Sequence, residues 1–199
     1  MVSSKSLSST CQVSNNIEVW RIRLDRVAPL IPTSEETARA NRFATTILRR
    51  RYLRAHAALR EILQRHTKSP MVFAQHEKGK PYLASDPALH FNLTHSRDLA
   101  LIAVTRACQV GIDVEHLRPM PEFAAIAQRY FPAGSPTPAT ARDFFRQWTR
   151  FEALLKAQGT GLFGITDFPG QWTVTPLDVG SHYAAALAHQ GPARAFILR

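Results

Sequence analysis

The 199-residue sequence predicts an α+β fold, sandwich-like and built as a pseudo-twofold pair of similar α/β lobes with a cleft between them. Two observations predict it. Stretches with a helical apolar period alternate with short strand-like runs bounded by Gly and Pro turns. The two halves also follow one plan. The first has a helix, a Gly-Lys-Pro turn, a strand, then Thr94-His95-Ser96 leading into Ala-Leu-Ile-Ala-Val-Thr. The second has a helix, a Gly-Thr-Gly turn, a strand, then Gly180-Ser181-His182 leading into Tyr-Ala-Ala-Ala-Leu-Ala. Taken alone that echo is faint, and chance likeness between short alternating segments explains it at least as well. If it is real, the cleft falls near residues 106–120.

The elements follow in order. Residues 1–16 are Ser-rich and poor in apolar groups, and they read as a flexible tail. Residues 17–108 are expected to form the N-terminal lobe and 109–199 the C-terminal lobe. Ile17, Val19, Ile22 and Leu24 fit a strand imperfectly, because they straddle Trp20. Ser34 is the expected N-cap of a helix carrying Glu35 and Glu36 in its first turn. From Phe43 to Leu63 the apolar spacing predicts a long amphipathic helix, interrupted near Thr45-Thr46. Met71–Ala74 reads as a strand and Lys78-Gly79-Lys80-Pro81 as a turn. His90–Leu93 and Leu99–Thr105 read as strands joined by a polar loop, Thr94–Asp98, and Val110–Val114 as the next strand. A helix ends near Tyr130, and Pro132–Pro138 is a loop. Ala139–Gln158 is the strongest helix, with Phe144, Trp148, Phe151 and Leu155 as its buried stripe; Gly159 and Gly161 end it. Gln171–Thr175, Tyr183–Leu187 and Ala193–Leu198 read as strands.

Composition narrows the function classes. The formal charge is +10, so the partners should be anionic. No apolar run reaches the roughly 18 residues of a membrane helix, and the N-terminus lacks a secretory apolar core. Two cysteines, Cys11 and Cys108, make neither a disulfide framework nor a metal cluster. A cytoplasmic location is expected. The arginines gather at Arg39, Arg42, Arg49, Arg50, Arg51, Arg54 and Arg60, in helical territory. There is no zinc-finger spacing, RNP pattern or basic zipper, so a phosphorylated cofactor or an acidic protein fits the charge as well as nucleic acid does.

Three motifs can carry chemistry. In Gly111-Ile112-Asp113-Val114-Glu115, read as a strand, the two carboxylates share one face about 6.8 Å apart. Mg²⁺ bound by carboxylates plus phosphate oxygens suits that spacing; a solvated strand face is the plainer alternative. In Trp148-Thr-Arg-Phe-Glu152-Ala-Leu-Leu-Lys156, Glu152 and Lys156 are an i, i+4 pair. Such a pair is usually an exposed ion pair of little energy, but Trp148 and Phe151 flank it with apolar bulk. In Thr94-His95-Ser96, an imidazole with adjacent hydroxyls can meet a phosphate, or face solvent. No G-x-S-x-G elbow accompanies Ser96, which argues against a hydrolase nucleophile.

In that order, the three motifs resemble the 4′-phosphopantetheinyl transferase superfamily, most nearly its two-lobed, monomeric type that activates peptide and polyketide synthetases. The likeness runs from about Arg39 to the C-terminus. It implies that the phosphopantetheine arm of coenzyme A is moved to a serine of an acidic apo carrier protein, releasing 3′,5′-ADP, with Mg²⁺ (or Mn²⁺) required. On the same resemblance Asp113, Glu115 and Glu152 match metal ligands, and Glu152 and Lys156 the catalytic pair. Thr94, His95 and Arg51 match contacts to the 3′-phosphate end of coenzyme A. Arg39 matches a further phosphate contact, and Lys80 lies by the adenine and ribose.

The chain departs from the family pattern at three places. Phe151 stands where many members have Lys, and Arg97 where many have Gly. Ser135 follows Phe131-Pro132 without the usual acidic residue, which shifts the base toward Glu152. The rival readings are a basic nucleic-acid-binding protein and a metal-dependent phosphodiesterase acting on coenzyme A.

Overall fold

A computed structural model describes residues 16–26, 31–161 and 170–199. The tail expected over residues 1–16 therefore lies almost wholly outside the described residues. The elements are β1 (Ile17–Arg23), α1 (Ser34–Ala40), α2 (Thr46–His66), β2 (Phe73–Gln75), β3 (Pro81–Leu83), β4 (His90–Ser96), β5 (Leu99–Thr105), β6 (Val110–His116), α3 (Phe123–Tyr130), α4 (Ala141–Gln158), β7 (Trp172–Pro176), β8 (Tyr183–Gln190) and β9 (Phe196–Leu198). The mixture of helix and strand is the α+β class expected from the sequence. No described helix is long and apolar enough to cross a membrane.

One sheet has strand order β4-β5-β1-β9, a second β6-β8-β7, and β2 and β3 form a separate hairpin. Every pairing is antiparallel except that of β9, which runs parallel to β1 and so closes the edge of the first sheet. The two larger sheets face each other. Ile17, Val19, Leu99, Leu101 and Ala103 meet Val110, Ile112, Val114, Ala185 and Leu187 in one apolar layer. On the outer face of the first sheet, Leu59, Ile62 and Leu63 of α2 cover Phe91, Ile102 and Val104. On the outer face of the second, Ala153 and Ala157 of α4 cover Ala186 and Ala188. The layers are thus helix, sheet, sheet, helix.

This layering explains the least regular strand patterns. β5 (Leu-Ala-Leu-Ile-Ala-Val-Thr) is buried at every position, because one face meets the other sheet and the other meets α2. In β1, Ile17 and Val19 point inward while Trp20 and Ile22 turn toward α2. Trp20 does not interrupt the strand; it occupies the second buried face.

Several boundaries differ from expectation. The N-cap of α1 is Thr33, not Ser34, which is the first helical residue. Thr33 Oγ1 accepts from the Glu36 N–H at 3.1 Å, and the Glu36 carboxylate accepts from the Thr33 N–H at 3.0 Å. Only Thr33 has Glu at the third helical position, so only it can form the reciprocal pair. α2 starts at Thr46 rather than Phe43, with Thr45 as cap, and the second strand lies at Phe73–Gln75 rather than Met71–Ala74. The expected polar loop Thr94–Asp98 is mostly strand: β4 continues through Ser96, and Ser96 pairs with Leu99 across a two-residue turn. Arg97 takes φ 53° there, the left-handed conformation that favours Gly. Hence the turn survives the Gly-to-Arg departure.

α4 buries two faces rather than one stripe. Phe144 and Phe145 join Phe123 and Phe131 around α3, with Trp148 partly buried beside them. Thr149, Ala153 and Ala157 are buried further along the helix. Phe151 is half-buried, edge-on to Phe131 with ring centroids 6.0 Å apart, so it packs as expected.

Ala153 and Ala157 allow α4 to lie directly on β6 at Gly111. A Cβ at Gly111 would overlap the Ala153 carbonyl oxygen and the Ala157 backbone nitrogen, and would lie 2.8 Å from Ala157 Cα. These neighbours are backbone atoms that cannot swing aside. Gly111→Ala is expected to cost at least ~1–3 kcal/mol, the usual range for overpacking, lowering the melting temperature in calorimetry by several degrees. An unchanged melting temperature would contradict this packing.

Candidate active site

β6 alternates: Ile112 and Val114 enter the intersheet core, while Asp113 turns toward α4. Asp113 is only 5 % exposed. Its Oδ1 accepts from Lys156 Nζ at 2.5 Å and from Thr94 Oγ1 at 3.1 Å. Its Oδ2 is buried without a hydrogen-bond partner. Burial pushes the Asp113 carboxyl above the usual range, and the Glu115 charge adds to that; Lys156 and Thr94 oppose it. Lys156 Nζ also lies 3.4 Å from Thr94 Oγ1, so one ammonium links α4, β6 and β4.

Glu152, one turn before Lys156 on α4, is raised above its ordinary 4.5 chiefly by burial. The charges of Asp113 and Glu115 push it the same way, and Lys156 pulls it back. Glu115 Oε2 accepts from Ser96 Oγ at 3.1 Å and from Arg118 Nη1 at 3.0 Å. Arg118 in turn lies over the Phe145 ring at 4.7 Å.

A series of polar side chains on β4 holds the acidic strand in place. Asn92 Oδ1 accepts from the Ile112 N–H at 2.9 Å. Thr94 donates to Asp113, and Ser96 Oγ donates to Glu115 while accepting from the His116 N–H at 3.0 Å. These contacts advance together along both strands, so β4 and β6 are joined by side chains, with no backbone ladder between them. Asn92, as a clamp on β6, and Arg118, as a partner of Glu115, were not apparent from sequence motifs. The available signal was the i, i+2 recurrence of Asn, Thr and Ser in a strand whose intervening residues, Phe91 and Leu93, are apolar.

The cationic candidates flank this cluster. Arg51 Nε and Nη2 both donate to Asp98 Oδ1, at 3.0 and 2.7 Å. Arg39 lies over the Tyr52 ring at 5.9 Å, and the same ring stacks against His56 at 4.0 Å. Crowding by surrounding protein pushes His95 down, and the charges of His56, Lys156 and Arg51 add to the effect. These groups therefore gather positive charge on the α2 side of β4. Thr94 instead faces Asp113, on the opposite face of β4 from His95.

Lys80 has a different environment from the one its turn predicts. Its Nζ donates to Gln109 Oε1 (2.9 Å), Val110 O (3.2 Å) and Ala157 O (2.6 Å). Burial lowers its pKa to about 8. It bolts the β2–β3 turn to the start of β6 and the last turn of α4. It also lines a cleft of about 510 Å³ with His76, Gln158 and Trp172.

Among the described residues, no three carboxylates, imidazoles or thiols converge tightly enough to enclose a metal ion. Asp113 is paired with Lys156, and Glu115 with Ser96 and Arg118. The buried, unpartnered Oδ2 of Asp113 beside the half-buried Glu152 is nevertheless a donor set that fits a divalent ion. Mg²⁺ typically takes one or two carboxylates and completes its shell with phosphate oxygens and water.

With this geometry in view, the relatives are informative. A family model described as the 4′-phosphopantetheinyl transferase superfamily matches residues 109–197, which hold β6, α4 and β8. 4′-Phosphopantetheinyl transferase HetI of Nostoc sp. is 36 % identical over 169 residues, 75 % of this chain and 71 % of HetI. The chain belongs to the 4′-phosphopantetheinyl transferase superfamily. 4′-Phosphopantetheinyl transferase psf-1 of Bacillus pumilus is 33 % identical over 159 residues, 74 % of this chain and 66 % of that protein. 4′-Phosphopantetheinyl transferase AcpT of Escherichia coli K12 is 29 % identical over 184 residues, 86 % of this chain and 85 % of AcpT.

The raised Glu152 carboxyl has a measurable consequence. A carboxyl raised on folding binds more protons in the folded than in the unfolded chain. Its contribution to stability therefore falls as pH rises from about 4.5 through the folded value. Glu152→Gln removes that term. The melting temperature of the variant relative to the parent is expected to increase between pH 4.5 and 7, by differential scanning fluorimetry. A difference that shrinks with pH would contradict the environment described for Glu152.

Proposed function

We propose that this protein transfers the 4′-phosphopantetheine arm of coenzyme A to a serine of an acidic apo carrier protein, with 3′,5′-ADP as the second product. One observation carries the reading: Lys156 and Asp113 meet at 2.5 Å across the α4–β6 contact, beside Glu152, in a chain of this superfamily. The two rival readings, a nucleic-acid-binding protein and a phosphodiesterase acting on coenzyme A, draw no support from the relatives.

In this proposal the carrier serine hydroxyl attacks the β-phosphorus of the coenzyme A diphosphate, and its proton passes to Glu152. The bond from that phosphorus to the oxygen of the departing 3′,5′-ADP breaks, and Lys156 neutralises the charge left on it. The raised Glu152 carboxyl suits the base role, because a general base works best with a pKa near the operating pH. Phosphoryl transfer of this kind depends mainly on positioning and charge neutralisation. Asp113 and Glu152, with Glu115 beside them, are the residues that would hold Mg²⁺. Once bound, the ion supplies polarisation of the non-bridging phosphate oxygens.

Arg51 and His95, with Arg39 farther along α1, are proposed to receive the 3′-phosphate end of coenzyme A; the shared positive field on that flank supports this. Thr94 serves to orient Asp113 and Lys156. Lys80 is proposed to lie by the adenine and ribose while bracing the end of α4. The proposal includes two lobes, 17–108 and 109–199, related by a pseudo-twofold. The matching sheet orders β4-β5-β1 and β7-β8-β6, each backed by one long helix, support it. A site assembled from β4, β6 and α4 of one chain accords with a monomer, acting in the cytoplasm where coenzyme A is supplied.

Mass spectrometry of a panel of apo carrier proteins, after incubation with the protein, Mg²⁺ and coenzyme A, tests the reaction. A gain of about 340 Da on one serine, the mass of the transferred arm, is expected; no gain on any carrier would refute the reading. Asp113→Ala and Glu152→Gln are each expected to reduce transfer by at least ~100-fold, as loss of a positioned acid–base group does. Arg51→Ala is expected to raise KM for coenzyme A several-fold more than KM for 3′-dephospho-coenzyme A. Equal effects on both substrates would remove Arg51 from the 3′-phosphate site.

A further inference from the structure

A second charged feature lies on the other flank of α4. Arg142, Arg146 and Arg150 recur at i, i+4 and i+8 and are all exposed. They line a groove of about 560 Å³ together with Leu117, Ser181 and Tyr183. Their charges are weakly compensated. Arg146 lies 4.0 Å from Asp143, and Arg142 Nη2 reaches only the Ser181 carbonyl at 3.5 Å. Arg150 has no ion-pair or hydrogen-bond partner among the described residues. The carboxylate at the groove's lip, Asp178, is engaged by its own loop, accepting from the Gly180 N–H at 3.1 Å.

The groove also adjoins the acidic cluster. Leu117 is two residues beyond Glu115, and Tyr183 pairs in register with His116. A macromolecule presenting a group to Asp113 and Glu152 would therefore extend over this surface.

We infer that the Arg142–Arg146–Arg150 ladder is a docking surface for an acidic helix of the carrier protein that receives the phosphopantetheine arm. The inference rests on the transferase reading and adds to it the face on which the protein substrate lies. Guanidinium groups four residues apart on a helix are spaced about 6 Å along its axis. Carboxylates four residues apart on a second helix have the same repeat, so the two helices can match charge for charge. An extended polyanion has no such fixed period. Arginine also binds carboxylates bidentately, which gives the contact orientation as well as attraction.

The test is kinetic and uses the full chain. The triple variant R142E/R146E/R150E changes only exposed side chains. It is expected to raise KM for the apo carrier at least about tenfold, with kcat and KM for coenzyme A within about twofold of the parent. The fall of kcat/KM with added salt should also flatten, because the attraction between opposite charges is what salt screens. A carrier whose acidic helix residues are replaced by Lys should recover at least part of the loss with this variant, which a merely structural defect would not allow. Arg150→Glu alone should act in the same direction to a smaller extent, and serves if the triple variant does not fold.

A carrier KM within twofold of the parent would overturn the docking surface while leaving the transferase reading intact. Absence of transfer by the parent protein to every carrier would instead refute that reading, and this inference with it. If the triple variant loses binding to a duplex DNA but keeps the parent's carrier KM, the ladder belongs to nucleic acid and the inference is overturned.

Discussion

The close approach of α4 to β6 is the constraint on which the site depends. It exists because Gly111 has no side chain and because the facing residues of the helix, Ala153 and Ala157, are small. A bulkier residue at any of the three would lift the helix from the strand. Lys156, next to Ala157, would then lose its 2.5 Å contact with Asp113, next but one to Gly111. The small residues of the two motifs and their charged residues are thus parts of one arrangement: the former set the separation that the latter need.

The second requirement is that β4 and β6 stay in register without a shared ladder. Asn92, Thr94 and Ser96 supply this with side-chain hydrogen bonds to Ile112, Asp113, Glu115 and His116. Side-chain contacts can satisfy buried polar groups and also present oxygens to a pocket, whereas a backbone ladder would have sealed the edge. Lys80 does the equivalent work from the far end, holding the carbonyls of Val110 and Ala157 together with one buried amine. The acidic cluster is therefore held between braces on separate elements. The energy cost of bringing carboxylates together, visible in the raised Asp113 and Glu152, is met by this scaffold.

Much of this arrangement was legible in the sequence, and the exceptions have physical causes. The helices, the order of the strands and the phase of β6 follow from local periodicity, which the side chains of Gly111–Glu115 obey. The continuation of β4 through Thr94-His95-Ser96 does not, because polar residues in a strand look like a loop unless the partner they bond is known. The double burial of α4 was also hidden: its aromatic face packs on α3, and its alanine face is silent in any apolar count based on large residues. The N-cap displacement from Ser34 to Thr33 turned on which hydroxyl has Glu three residues ahead. The pairing of β9 with β1 joins segments at opposite ends of the chain, and no local pattern encodes it.

That last pairing has a consequence for biosynthesis. β1 accepts β9 along its free edge through Ile17–Phe196 to Val19–Leu198, and Arg199 adds a charge contact to Glu18 at 2.9 Å. A ribosome delivers these partners some 180 residues apart. Throughout that interval the nascent sheet carries an unprotected strand border, which invites pairing with a neighbouring polypeptide. Completion of the barrier against such aggregation thus waits for the last strand to leave the exit tunnel, and a bulky fusion placed directly after Arg199 would interfere at that step.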